Sequence, residues 1–315
     1  MNFDFDARMI FFVRHGSYAY GLNIPSSAED FKGICIKPKA AYFGFTQNFE
    51  QHEHMGSKSD GVDSVVYSLE KFAKLAADCN PSIIEVLHVA DEDVIRCDEY
   101  GEMLRAHKDD FISKKAKHTF NGYAHAQLHR IKTHKQWLMN PPKAPPQRKD
   151  FGLSETCKVS KSELGAYDAV VAQGIEIDVP KDLLTLFTRE KAYMAAMVHY
   201  EQYLDWVKSR NAARALLEVQ FGYDTKHGMH LLRLMRMCRE ILLTGKVLVK
   251  RPDRDDLLDV RFGRRGYDSL VDEAERIEAE CNVLYETSTL PYKPNFNKLD
   301  ELIISMTEAY LRKHG

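Results

Sequence analysis

Five apolar residues, Met9-Ile10-Phe11-Phe12-Val13, run almost directly into Gly16-Ser17, and the acidic pair Glu29-Asp30 follows 12–14 residues later. An uninterrupted apolar run of this length suits a strand buried on both faces. Glycine allows a tight bend and a close backbone approach, and a serine hydroxyl with adjacent N–H groups can donate to phosphate oxygens. Alone, a Gly-Ser pair is an ordinary turn. Beside an acidic strand it gains chemical meaning, because side chains on a strand alternate faces. Positions 28 and 30 therefore point the same way and Glu29 points the opposite way. Those positions are Ala28 and Asp30.

A second carboxylate comes from Asp63-Ser64-Val65-Val66-Tyr67-Ser68, a β-branched run with an acidic residue at its start and a helical pattern after it. An aspartate at a strand start is commonly a turn residue. Its other reading pairs Asp63 with Asp30 as carboxylates converging on divalent cations, as two-metal phosphoryl transfer requires.

Bulk properties exclude several classes. The 315 residues are 44% hydrophobic and 29% charged, enough for one large or two ordinary globular domains. A formal charge of −2 argues against nonspecific coating of nucleic acid, yet leaves room for a local basic cleft. The start, Met-Asn-Phe-Asp-Phe-Asp, lacks the basic region of a signal peptide, and no apolar run approaches the ~18 residues that span a bilayer. The six cysteines, Cys35, Cys79, Cys97, Cys157, Cys238 and Cys281, show no zinc-ligand spacing. Reduced core thiols in a cytoplasmic protein are the expectation.

Periodicity places strands at 8–14, 29–36 and 62–68. Helices are expected at 69–77 and 82–89, where Asn80-Pro81 breaks one helix and starts the next. Further helical patterns cover 102–118, 120–138, 160–173, 188–218, 225–244, 267–285 and 297–313, with an extended Pro- and Lys-rich connection at 140–146. Strands first and helices afterwards indicate an α+β fold, with a mixed-sheet domain over 1–105 and a mostly helical domain over 106–315.

Within 225–244, Lys226, His230 and Arg233 recur at i, i+4 and i+7 and form one column, with an apolar stripe on another side. Such a column is commonly a solvated face. It is also a plausible phosphate clamp, since arginine makes forked contacts and lysine supplies a point charge. His227 lies off that column.

Together these segments resemble the nucleotidyltransferases of the DNA polymerase β superfamily, specifically the RNA-repair-associated RlaP type of bacteria and phages. Beyond residues 16–33, the resemblance extends to Ser68–Phe72 with Asn80–Leu87, to Gly122–Trp137 with Asn140–Pro142 and Asp150–Leu153, to Gly222–Leu234, and to Arg251–Asp253 with Leu257–Gly263. It implies phosphate contacts at Gly16 and Ser17, and catalytic, metal-binding roles for Asp30 and Asp63. It also turns the Lys226, His230 and Arg233 column toward a triphosphate. The implied cofactor is Mg²⁺ or Mn²⁺, and the implied reaction moves a nucleoside monophosphate from an NTP to an acceptor hydroxyl. An RNA or tRNA end is favoured over a protein or small-molecule acceptor. At position 28 the family carries aspartate, so Ala28 occupies the expected third ligand position and implies impaired activity. The alanine marks either a natural pseudoenzyme that binds nucleotide or RNA without turnover, or a substitution introduced into an active enzyme. The intact remainder of the motif favours the second. The sequence leaves the choice of NTP and the oligomeric state open.

Overall fold

The apolar run forms an interior strand of a sheet. In the computed structural model, β1 (Met9–His15) lies between β2 (Glu29–Cys35) and β5 (Val94–Cys97), antiparallel to both. Beyond β2 come β4 (Val62–Ser68), parallel to it, and the edge strand β3 (Gln51–His54), giving the order β3-β4-β2-β1-β5. The structure describes residues 3–46, 48–56, 62–156, 159–173, 180–210 and 212–314.

β2 and β4 share one burial gradient that positions everything below. Their first four residues are partly exposed and their last three are buried. Two neighbouring parallel strands thus leave the core together at the ends that carry Asp30 and Asp63. On the face away from those acids, Met9, Cys35, Phe49 and Val66 form an apolar cluster, closed by Phe3, Phe5 and Phe12.

The helices follow short-range signals. α1 (Gly16–Ala19) is one turn, and α2 (Lys39–Phe43) precedes the edge strand. α3 (Leu69–Ala77) starts at Ser68, whose hydroxyl accepts from Lys71 N–H, and α4 (Pro81–Leu87) starts at Asn80, whose side chain accepts from Ser82 N–H. α5 (Glu99–Ala106) is capped by Asp98, and α6 (Ala116–Met139) follows. Next come α7 (Lys161–Ala172), α8 (Lys181–Ser209), α9 (Ala212–Phe221), α10 (Thr225–Thr244), α11 (Arg254–Arg261), α12 (Tyr267–Thr287) and α13 (Phe296–His314). The fold is thus a small mixed five-stranded sheet with helices, followed by a mostly helical region. No helix among the described residues is long and apolar enough to cross a membrane.

Two helical expectations are corrected. The helix read over 102–118 stops at Ala106, passes through a 3-10 turn at Lys108–Phe111 and restarts at Ala116, because Phe111 and Ile112 are drawn into the core. The single helix read over 188–218 is two, α8 and α9, parted where Arg210 turns extended to pair with Glu218. Cys35, Cys79, Cys238 and Cys281 are buried free thiols and Cys97 is half-buried, whereas Cys157 lies outside the described residues.

The packing divides elsewhere than at the 105/106 boundary. One unit comprises Met1–Ile131 with Tyr223–Gly315, the other Lys132–Gly222. The sheet and α10–α13 fall in one unit, in which α10 is buried along most of its length, with Leu231, Leu232, Leu234, Met235, Met237 and Cys238 among its buried residues. The second unit has its own aromatic centre. There Trp137 Nε1 donates to His199 Nε2 at 3.0 Å and its ring lies 5.3 Å from Trp206, while Arg148 forks onto the buried carboxylate of Glu190.

Gly228 lets α10 meet its neighbours closely. A Cβ there would stand 2.8 Å from Tyr223 Cε2 and 3.1 Å from Leu270 Cδ1, both fully buried residues. The Tyr223 hydroxyl is tied to the Arg265 carbonyl at 2.8 Å, so its ring has little freedom to move. Gly228→Ala is therefore expected to lower stability by ~1–3 kcal/mol despite alanine's better helix propensity. Urea unfolding measures the difference, and an unchanged midpoint would contradict this packing.

Candidate active site

Strand register brings the two aspartates together. Asp30 is paired across β2 and β4 with Asp63, and on its other side with His15, the last residue of β1. The chain then bends at Gly16 with φ +65°, a backbone conformation glycine adopts freely. A Cβ at Gly16 would sit 2.0 Å from Asp30 Oδ2, so the Asp30 carboxylate rests directly on the backbone of the bend. Ser17 follows, partly exposed, in the single turn of α1. Asp63 accepts a hydrogen bond from Gly56 N–H at 2.9 Å. Ala28 is exposed immediately before β2.

Charge at this corner is unbalanced in a telling way. Burial raises the proton affinity of Asp30, the neighbouring Asp63 charge raises it further, and Lys226 and Lys32 pull in the other direction. Two carboxylates in register, one of them held above its usual range first by burial and then by the other's charge, form an all-oxygen donor pair that a hard divalent cation would relieve. The residues present fit Mg²⁺ or Mn²⁺.

Behind the bend lies a buried ionic cluster that the sequence did not single out. Glu85 of α4 is 0% exposed. Its Oε2 accepts from the Tyr20 hydroxyl at 2.5 Å and lies 3.4 Å from His15 Nε2, while its Oε1 accepts from Arg233 Nη1 at 2.5 Å. The Arg233 guanidinium also stacks 3.9 Å from the Tyr20 ring centre. Burial works to raise the Glu85 pKa, but Arg233 and the bonds from His15 and Tyr20 outweigh it and bring it to about 2. Lys32, two residues beyond Asp30, donates to the Ser82 carbonyl at 2.5 Å, and burial lowers its ammonium to about 8. The available signal was a glutamate inside the apolar run Ile83-Ile84-Glu85-Val86-Leu87.

The predicted column of α10 is thereby split. Lys226 and His230 are half-buried, and the Lys226 charge is felt at Asp30. Burial, then the Arg233 and Lys226 charges, push the His230 ring well below its usual range, so it is neutral near pH 7. Arg233, 6% exposed, points into the interior and is occupied by Glu85. His227 turns aside to Gln127, 2.7 Å away.

Two buried rings give a pH signature. Burial lowers His15 to about 4 and His88 to about 3, so both are neutral when folded and would be protonated when unfolded below about pH 6.5. The unfolded chain then binds more protons, and stability falls as pH drops below 6.5. For His88 the loss between pH 7.5 and 5 is about 2 kcal/mol. Glu85 adds nothing in that window, since its contribution is lost only below about pH 4.5. Unfolding free energies at the two pH values should differ by about 2 kcal/mol less in His88→Gln than in the parent chain.

This geometry can be set beside known proteins. Residues 2–141 match the RNA repair pathway DNA polymerase beta family. The match spans the whole sheet, α1–α5 and α6, and so includes the bend, both aspartates and Glu85, in accord with a polymerase β superfamily nucleotidyltransferase. Lys226, His230 and Arg233 fall outside it. The chain is also 24% identical over 300 residues to a 38.9 kDa protein of Enterobacteria phage T4, named for its place in the nrdC-mobD intergenic region, with 85% of this chain and 88% of the phage protein covered. No solved structure matches the chain.

Proposed function

We propose that the chain is a metal-dependent nucleotidyltransferase whose turnover is impaired by Ala28. The observation that carries this reading is the register pair Asp30–Asp63 lying against the Gly16 bend. In the reaction the acceptor hydroxyl oxygen bonds to the α-phosphorus of an NTP, and the bond from that phosphorus to the bridging oxygen breaks. Pyrophosphate leaves with the electron pair, and the hydroxyl proton is released to solvent.

The chain's own residues divide this work. Asp30 and Asp63 would hold the divalent cation, which when bound supplies charge neutralisation to the triphosphate and to the attacking oxygen. The Gly16–Ser17 backbone gives the triphosphate room to approach, and the Ser17 hydroxyl donates to it. Lys226, whose charge acts on Asp30, would serve as a cation for the triphosphate, and neutral His230, one turn further along α10, as a hydrogen-bonding ring. Arg233 acts from behind, through Glu85. An RNA or tRNA 3′ end is the acceptor this reading favours, on the description of the matched family.

Ala28 motivates a second reading, a nucleotide- or RNA-binding protein without turnover. The enzyme and a nucleotide-binding module both predict nucleotide binding, and a purely structural role predicts none. At a hundredfold excess over Kd, an NTP with Mg²⁺ should raise Tm by roughly 5 °C. Asp30→Asn together with Asp63→Asn should abolish the Mg²⁺-dependent part of that rise. A Tm indifferent to all four NTPs would end both nucleotide readings.

A further inference from the structure

Glu85 contacts neither the bend's phosphate-facing side nor the aspartate pair, yet both flanks of the bend converge on it. His15 immediately precedes Gly16, and Tyr20 closes α1. Both lie against Glu85 Oε2, and the other oxygen takes Arg233, which stands seven residues after Lys226 and three after His230 on α10. Arg233 in turn covers the Tyr20 ring, so the four groups close a loop of contacts among β1, α1, α4 and α10.

We propose that Glu85 is a positioning residue: one buried carboxylate fixes the Gly16–Ser17 bend at a set distance from Lys226 and His230, and so sets the width of the triphosphate seat. The proposal rests on the nucleotide reading above and deepens it.

Stability alone is a poor reason for such a cluster. Replacing a buried ion pair with apolar side chains of similar volume is commonly neutral or stabilising, whereas removing one partner strands the other charge. Leucine at position 85 would continue the run Ile83-Ile84 to Val86-Leu87 and bury without desolvation cost. What an apolar residue cannot do is take directed hydrogen bonds from Tyr20 and Arg233 while placing a charge 3.4 Å from the His15 ring. The carboxylate supplies direction. It also keeps the Tyr20 and Arg233 side chains from relaxing independently, so a shift of α10 would be transmitted to the bend.

The test compares the parent chain with Glu85→Gln and with the paired change Glu85→Leu plus Arg233→Met, which removes both charges. Three quantities are read: Tm, hydrogen–deuterium exchange over residues 14–22, and affinity for each of the four ribonucleoside triphosphates with Mg²⁺ by calorimetry. The paired variant should keep a Tm within a few degrees of the parent, while residues 14–22 exchange at least tenfold faster and affinity falls at least tenfold. Peptides from α12 and α13 should exchange as in the parent. Parent-like exchange at 14–22 with parent-like affinity would overturn the proposal. If the paired variant fails to fold, Glu85→Gln decides by the same readings at 10 °C, where a lowered Tm with parental exchange and affinity makes Glu85 merely structural. If the parent binds no triphosphate, the nucleotide reading fails, and the exchange at 14–22 still settles whether Glu85 holds the bend.

Discussion

Ala28→Asp is expected to raise nucleotidyl transfer by more than ~100-fold. Position 28 is exposed and immediately precedes β2 at the part-exposed end of the β2–β4 pair, two residues before Asp30, so the new side chain displaces no buried neighbour. Removing a group that only supports a metal ligand typically costs ~10–100-fold, so restoring a direct ligand should exceed that range. The stability consequence has the opposite sign. A third carboxylate beside two that already repel should lower Tm without metal, and Mg²⁺ should raise it more in the variant than in the parent. Incorporation of a labelled NMP into an RNA oligonucleotide, with Mg²⁺ and with Mn²⁺, measures the gain. Binding without incorporation in either protein would leave the non-catalytic reading standing and sink the enzymatic one.

Gly16→Ala should disable the site by another route. At φ +65° a Cβ costs ~1–2 kcal/mol from backbone conformation alone. Here it would also lie 2.0 Å from Asp30 Oδ2, 2.8 Å from Cγ and 3.0 Å from Cβ. The carboxylate is the mobile end of a short side chain, so it yields by swinging off the bend and away from Asp63. Triphosphate affinity is expected to fall more than tenfold, on the scale of a lost charge-assisted contact. Gly21→Ala is the matched control. Its φ is +69°, but the nearest atom to a new Cβ is Arg254 Cδ at 3.8 Å. That variant should lose comparable stability and keep its affinity. Equal losses of affinity in both would show that backbone conformation, not the contact with Asp30, governs the site.

Much of this architecture was legible because its causes are short-range. The run 9–13 is apolar on both faces and became an interior strand, flanked by β2 and β5. Asn80-Pro81 and Ser68 carry their helix starts in their own side chains. Alternation predicted one face for positions 28 and 30, and β2 begins between them, at Glu29. The edge strands β3 and β5 were missed for an equally physical reason. Gln51-His52-Glu53-His54 is exposed along its whole length and has no apolar alternation, so it is a strand only because β4 offers it a ladder. The column on α10 shows the limit most clearly. Helical spacing correctly groups Lys226, His230 and Arg233, but spacing cannot say that the third member turns inward to meet a carboxylate 148 residues away.

From the sequence alone came the strand–bend–strand unit and the identity of its acidic residues, since each depends on neighbours a few residues apart, while the expected carboxylate at position 28 came from the family resemblance. Tertiary structure alone decided that Asp30 faces Asp63, that helices beyond residue 222 share a unit with the sheet, and that Glu85 joins His15, Tyr20 and Arg233. Each joins segments distant in sequence, and for Glu85 the energy of the pairing exists only once burial has removed the water that would otherwise screen it.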